Sequence, residues 1–188
     1  MRPLTPAVFL DRDGVLSLSI VRNGKPFAPT RLEDFALYPE VPEQVQQLRS
    51  FGLAIVVVTN QPDVGHGLVA RETVEAMHAI LRETIVPDLI QVCYHRQDEG
   101  CSCRKPKPGM LLLAAAELGI DLSRSFMVGD RWSDIDAGVA AGCWTIFLDR
   151  GYGEKKPPAA WAIVGSLGEA IERIAAEIRR SSLMPAIQ

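Results

Sequence analysis

The sequence has no apolar run long enough to cross a bilayer: the longest, Leu53–Val58 and Leu111–Ala116, fall far short of the roughly 20 residues that a spanning helix needs. It also has no excess of positive charge. A formal net charge of −3 gives no global attraction to nucleic acid or to an acidic membrane surface, so any basic chemistry must be local. The tryptophans, at 132, 144 and 161, are too scattered to form a stacking platform for bases. No internal repeat, low-complexity tract or domain linker interrupts the 188 residues, so one domain is expected, with its core between about residues 7 and 180. Met1–Pro6 does not have the pattern of a signal peptide. A monomeric protein in the cytoplasm is the expectation, with neither nucleic acid nor membrane as a partner. Cysteine is scarce too, at four residues, and three of them (93, 101 and 103) fall within eleven positions together with His95. Nothing marks the chain as secreted, so metal binding is a better reading of them than disulfides.

What is present is ordinary for a globular chain, with 47% hydrophobic and 23% charged residues. Apolar runs of strand length alternate with segments of helical period, the pattern of a Rossmann-like α/β fold with a parallel sheet and helices on both faces. The expected strands are Ala7–Leu10, Leu53–Val58, Ile90–Tyr94, Phe126–Val128, Thr145–Leu148 and Trp161–Val164. Val41, Val45 and Leu48 share one helix face that ends at Gly52, and Val74, Met77, Leu81 and Ile85 mark a second helix closed by Pro87. A third helix starts at Pro108 and stops at Gly119, and a fourth pairs Ile135 with Val139 before Gly142. Ser166 and Glu169 form a capping box for a last helix, after which the final ten residues look frayed. The segments 17–38, 62–67, 95–107 and 150–159 read as irregular.

Polar signals gather where the strands end, the edge at which open α/β sheets place their chemistry. Asp11 and Asp13 follow the first strand, and residues two apart in an extended chain share a side. Two carboxylates so close need a shared proton or a divalent cation, and Mg²⁺ fits such a hard oxygen set. The second strand passes abruptly from valines to Thr59, Asn60 and Gln61. Arg104, Lys105 and Lys107 precede a helix N-terminus, so they can form an anion clamp. Asp130 and Asp134 follow the fourth strand and a glycine turn. The alternatives are plain: an Asp-Gly turn, a solvated loop start and a surface basic cluster explain each block taken alone.

In this order, each at a strand end, the four blocks match the motifs of the haloacid dehalogenase superfamily. The resemblance runs from Val8 to Asp134. It implies that Asp11 is the nucleophile of a phosphatase working through an aspartyl phosphate, and that Asp13 is the general acid and base. It also implies phosphoryl contacts from Thr59, Asn60, Arg104 and Lys105. Mg²⁺ would be bound by the Asp11 carboxylate, the Asp13 carbonyl and the Asp130 carboxylate, with Asp134 in support.

Cys93, His95, Cys101 and Cys103 form a soft sulfur and nitrogen set suited to tetrahedral Zn²⁺, and four protein ligands would make the site structural. The run Cys101–Met110, with Thr59-Asn60-Gln61 upstream, is similar to the D-glycero-D-manno-heptose 1,7-bisphosphate phosphatases and the related histidinol-phosphate phosphatase domains. This likeness implies a zinc-stapled loop over 93–103 and a small phosphorylated metabolite as substrate, a heptose bisphosphate losing its 7-phosphate or else histidinol phosphate. His66 stands where many relatives carry arginine, and only five residues separate His95 from Cys101, so the sugar specificity is the part of the likeness that departs. There is no room for a cap domain, so selectivity falls to a flap at 17–38, the segment 62–67 and the zinc loop. A catalytically idle, zinc-stapled interaction module is the competing class, and the intact set of Asp11, Asp13, Thr59, Lys105 and Asp130 argues against it. His78 reads as a partly exposed residue at a core edge, Cys143 as a small buried hydrophobe, and Lys155 and Lys156 as solvated.

Overall fold

The computed structural model describes residues 4–183. The elements run β1 (Ala7–Leu10), β2 (Ile20–Arg22), β3 (Lys25–Phe27), α1 (Val41–Ser50), β4 (Ala54–Asn60), α2 (Pro62–Gly65) and α3 (Arg71–Ile85). They continue with β5 (Leu89–Cys93), α4 (Gly109–Leu118), β6 (Phe126–Gly129), α5 (Trp132–Ala141), β7 (Trp144–Leu148), β8 (Ala162–Val164) and α6 (Leu167–Leu183). Six strands make one parallel sheet in the order β5-β4-β1-β6-β7-β8.

Alternation along the central strands divides the core between the two faces. Val8 and Leu10 of β1, with Ile55 and Val57 of β4, pack beneath α1, α3 and α6. Ala7 and Phe9, with Val56 and Val58, face Met110, Leu111 and Ala114 of α4 and Ala137 of α5. Helices therefore cover both faces. The stretch from β1 to α1 contains only the β2–β3 hairpin and short turns, and that from β4 to α4 only α2, α3, β5 and the cysteine-bearing loop, so there is no cap domain. Among the described residues no helix is long and apolar enough to cross a membrane.

Several local expectations change. The segment 17–38 contains a two-stranded antiparallel hairpin whose turn is Asn23-Gly24, both at positive φ (50° and 73°). Such a turn matches the natural twist of paired strands, and Asn-Gly was the signal that could have revealed it. Val139 is 54% exposed although Ile135 is buried, because α5 meets the sheet through Ile135 and Gly138, a three-residue step. His78 is not at a core edge but fully buried. Trp144 and Trp161, far apart in sequence, meet edge to face with ring centroids 5.2 Å apart. The last helix runs on to Leu183, so residues 179–183 are helical, while 184–188 lie outside the described residues.

Gly138 shows how closely α5 sits on the sheet: a Cβ there would lie 2.6 Å from Thr145 Cγ2 and 2.7 Å from Met127 Cβ. Alanine in a helix interior gains about 1 kcal/mol over glycine, whereas forcing a methyl group into a filled core loses about 1–3 kcal/mol. Overpacking should win, since Met127 Cβ is fixed to the strand. Gly138→Ala is expected to lower the thermal midpoint by several degrees, and an unchanged or raised midpoint would show that α5 can lift away freely.

Candidate active site

β1 lies between β4 and β6, so the chain leaves it in opposite directions on its two sides, and the crevice at its carboxyl end is a topological switch point. The cleft there is lined by Asp11, Asp13, Thr59, Lys105, Asp130 and Asp134, together with Ser19, Phe27 and Arg131. Four separate segments thus converge on one place.

The centre is the Lys105 ammonium, which is almost wholly buried. Its Nζ lies 2.8 Å from Asp11 Oδ1 and 2.6 Å from Asp134 Oδ1, and donates to the Val58 carbonyl at 2.8 Å. An ammonium has three protons, and all three are matched. Burial on its own would lower the Lys105 pKa, but the two carboxylates outweigh it and hold the pKa above its usual value. Asp11 is pushed up to about 7, mainly by burial and further by Asp134, with Lys105 opposing. Its Oδ1 is pinned by Lys105 and by the Arg12 backbone N–H at 2.8 Å, whereas its Oδ2 receives no hydrogen bond among the described residues.

The other two acids differ in what surrounds them. Asp134 is committed to protein on both oxygens, since Oδ2 accepts from the Arg131 N–H at 3.0 Å. Asp130 is 2% exposed and neither of its oxygens makes a hydrogen bond of good geometry, although the Tyr152 hydroxyl lies near enough to oppose the rise in its pKa. Burial, with Asp11 and Asp134 adding repulsion, raises its pKa well above the usual carboxylate range. Gly14, at φ +87°, lets the chain pass over this acid: a Cβ there would sit 1.7 Å from Asp130 Oδ2. Ligand oxygens of Asp11, Asp130 and Asp134 lie within 4.8 Å of one another. Orphaned buried carboxylate oxygens in such a cluster fit a hard divalent cation.

Asp13 also lines the cleft, gripped by donors. Arg12 reaches it through Nε (3.1 Å to Oδ1) and Nη2 (2.9 Å to Oδ2), Ser17 Oγ donates at 3.0 Å and Gln61 Nε2 at 2.9 Å. Gln61 Nε2 also donates to Thr59 Oγ1 at 2.9 Å, which leaves the Thr59 hydroxyl proton free for an anion in the cleft. Arg12 was not singled out by the sequence, although β1 alternation aims it into the core after Val8 and Leu10, and Gln61 was noted at its strand end without a role.

Asn60 lines the cleft but uses its side-chain amide to bracket the Lys105 backbone, donating to its carbonyl at 3.1 Å and accepting from its N–H at 3.2 Å. Arg104 is half-buried, and its Nη1 is buried without a partner. Lys107 does not join the clamp, because its ammonium donates to the carbonyls of Gly100 and Cys101. His66 is likewise turned to the cysteine loop, with Nε2 2.7 Å from Gln97 Oε1.

In that loop, Cys93, His95, Cys101 and Cys103 converge, with Sγ···Sγ separations of 3.2–3.7 Å and His95 Nδ1 3.2 Å from Cys103 Sγ. About 3.8 Å is the edge of a zinc–thiolate tetrahedron with 2.3 Å bonds, so the set fits a closed four-ligand site. Cys143 stands apart; burial pushes its thiol up to about 12.

The segment after β7 closes the far side. Arg150 Nε donates to the Gly14 carbonyl at 2.8 Å, Glu154 receives two bonds from Arg131, and the Gly153 N–H reaches the Gly24 carbonyl at the hairpin turn at 2.8 Å. Lys155 and Lys156 are exposed, as expected, and each also has a partner: Lys155 lies 3.4 Å from the centroid of the Trp132 ring, and Lys156 pairs with Asp149.

Residues 9–142 match the model of the haloacid dehalogenase-like hydrolases. A Pseudomonas aeruginosa protein named D-glycero-beta-D-manno-heptose-1,7-bisphosphate 7-phosphatase is 36% identical over 78% of this chain and 82% of its own length. The Escherichia coli protein of that name is 34% identical over 80% of this chain and 82% of its own. Among solved structures, the D,D-heptose 1,7-bisphosphate phosphatase of B. bronchiseptica, complexed with magnesium and phosphate, superposes with a TM-score of 0.79 at 26% identity, covering 92% of this chain and 99% of that one.

The crowding of acids makes a stability prediction. Where a carboxyl pKa is raised by folding, the folded state binds the extra proton, so stability falls as pH rises from the unfolded value towards the folded one. For Asp11 that window runs from 3.8 to about 7, and Asp130 shifts in the same direction. Asp130→Asn should therefore raise the thermal midpoint of the metal-free protein at pH 8 by several degrees, with a smaller gain at pH 5. Roughly 2–4 °C corresponds to about 1 kcal/mol at this size. A gain that is equal at both pH values, or absent, would contradict the electrostatic reading.

Proposed function

The chain belongs to the haloacid dehalogenase-like hydrolases, and within them we propose that it is a phosphatase of a small phosphorylated sugar, forming a phosphoenzyme on Asp11. The observation that carries this reading is the asymmetry of the Asp11 carboxylate: Oδ1 is anchored by Lys105 and a backbone N–H, and Oδ2 faces the cleft unbonded. An anchored carboxylate with one free oxygen is a positioned nucleophile.

Oδ2 attacks phosphorus, the bond to the leaving oxygen breaks, and Asp13 delivers a proton to that oxygen. Water then attacks the aspartyl phosphate while Asp13 takes back a proton, which releases inorganic phosphate and restores the Asp11 carboxylate. The free hydroxyl proton of Thr59 and the Lys105 charge stabilise the phosphoryl oxygens, where positioning and charge cancellation supply most of the catalysis. Because all three Lys105 protons are matched, a direct bond to phosphate requires one contact to be exchanged. The contact with Asp11 is the one that weakens as that carboxylate becomes an acyl phosphate. The Asp11 and Asp130 carboxylates and the Asp13 carbonyl would hold Mg²⁺, which when bound neutralises charge on the transferring group. Cys93, His95, Cys101 and Cys103 would hold a structural Zn²⁺ that orders the segment leading to Lys105.

A heptose 1,7-bisphosphate is the substrate this reading favours, supported by the names of relatives that share more than a third of their aligned residues with this chain. Such a hydrolase of sugar metabolism would work in the cytoplasm.

Asp11→Asn should lower turnover by roughly 10³-fold or more, the scale of a lost nucleophile, while leaving the fold intact. EDTA should silence the wild type, and Mg²⁺ should restore it. Near-normal activity of the Asn variant against an aryl phosphate would refute covalent catalysis at this residue. For the sugar, kcat/KM measured across heptose 1,7-bisphosphate, its monophosphates and histidinol phosphate decides: a tenfold advantage for histidinol phosphate would overturn the heptose reading and leave the phosphatase standing.

Protein purified without chelator should carry close to one zinc per chain. Cys101→Ser should lower both the zinc content and the thermal midpoint, and elemental analysis finding no zinc in the wild type would remove the structural site.

A further inference from the structure

Beneath the catalytic edge lies a second polar chain that phosphoryl chemistry does not directly require. Arg12 is fully buried, beside Phe35, whose ring centroid is 5.4 Å from the guanidinium carbon. Two arms of its fork hold Asp13. The third, Nη1, points the other way and lies 3.2 Å from Nε2 of His78, itself 0% exposed on α3. An arginine can only donate, so His78 Nε2 must be the acceptor and the imidazole proton must sit on Nδ1. That proton has no hydrogen-bond partner, and the carboxylate facing it is Glu75, with Oε2 3.7 Å away. Glu75 accepts from the Tyr94 hydroxyl at 2.5 Å, and Tyr94 lies between Cys93 and His95. Burial, with the Arg12 charge beside it, lowers the His78 pKa to about 4, in keeping with a neutral ring.

We propose that His78 is a positioning residue for Asp13: its Nε2 fixes the Arg12 guanidinium, and Arg12 fixes the carboxylate that serves the leaving oxygen. The inference rests on the phosphatase reading of the site. A buried guanidinium needs acceptors on every side it turns to the protein. Asp13 meets Nε and Nη2, and His78 meets Nη1, so removing His78 frees the fork to rotate and lets Asp13 drift from the orientation that Ser17 and Gln61 alone define less tightly. A displacement of about 1 Å is enough to weaken a catalytic contact a hundredfold.

The leaving group distinguishes this role from simple damage to the fold. Benzyl phosphate expels an alkoxide that needs a proton, whereas 4-nitrophenyl phosphate, similar in size, expels a phenolate that does not. With the full-length protein in Mg²⁺, His78→Met should lower kcat/KM for benzyl phosphate at least tenfold more than for 4-nitrophenyl phosphate. His78→Gln, whose amide oxygen can accept from Arg12, should bring that ratio back to within about threefold of wild type. Equal losses on both substrates, or no loss on either, would overturn the proposal, as would a glutamine variant no better than the methionine one. If His78→Met does not fold, Arg12→Lys, which keeps the cation without the fork, reads the same ratio with the same expected fall. A wild type that hydrolyses neither ester would fail the phosphatase reading itself and this inference with it. A wild type that hydrolyses both while the ratio stays fixed fails the inference alone.

Discussion

A positive charge buried without enough acceptors is among the least tolerable things a protein core can contain, and the Lys105 ammonium sits 2–3% exposed at the carboxyl end of a parallel sheet. Its three protons go to Asp11, Asp134 and Val58, which belong to three different segments, so satisfying one cation aligns the ends of β1 and β4 with the first turn of α5. The dependence runs both ways. Asp11 can remain so deep in the protein only beside that cation, and Asp134 is accommodated at 1% exposure by dividing its oxygens between Lys105 and the Arg131 N–H. The remaining acid, Asp130, has no direct ion-pair partner among the described residues, and that imbalance makes the cluster receptive to a metal.

Two other devices fix where Lys105 can be. Asn60 brackets its backbone from β4, and Lys107 ties the next stretch back to the carbonyls of Gly100 and Cys101 inside the cysteine cluster. The basic run that looked like a row of phosphate ligands is thus divided: one cation points into the cleft, and another holds together the loop that delivers it. Local order precedes chemistry here, in keeping with the rule that a precise site needs support from the residues behind it.

Much of this was readable from residues in line. Six strands announced themselves because a sheet buried on both faces needs continuous apolar runs, as in Ile55–Val58. Asp11, Thr59 and Asp130 were found because each follows such a run, and Lys105 because its basic cluster precedes a helix N-terminus. What stayed hidden depends on partners distant in sequence. Nothing local says that His78 will meet Arg12, that Trp144 will meet Trp161, or that Lys107 will turn from the cleft. Val139 misled for a geometric reason: steps of three and four both stay near one helix face, and only the contact with Met127 and Thr145 decides between them. The hairpin at 20–27 has a local signal in Asn23-Gly24, but strands of three residues each carry too little alternation to show beside it.

That hairpin forms a sheet of its own, separate from the six-stranded one, and it touches the cleft through Pro26, Phe27 and Ala28. Its turn is held from outside by one backbone bond, from Gly153 to Gly24. None of Asp11, Asp13, Thr59, Lys105 and Asp130 lies in it. The wall of the cleft and the charged cluster at its floor are therefore built as separable parts, so a lineage could exchange a handful of wall residues and reshape the entrance without disturbing the buried charges beneath.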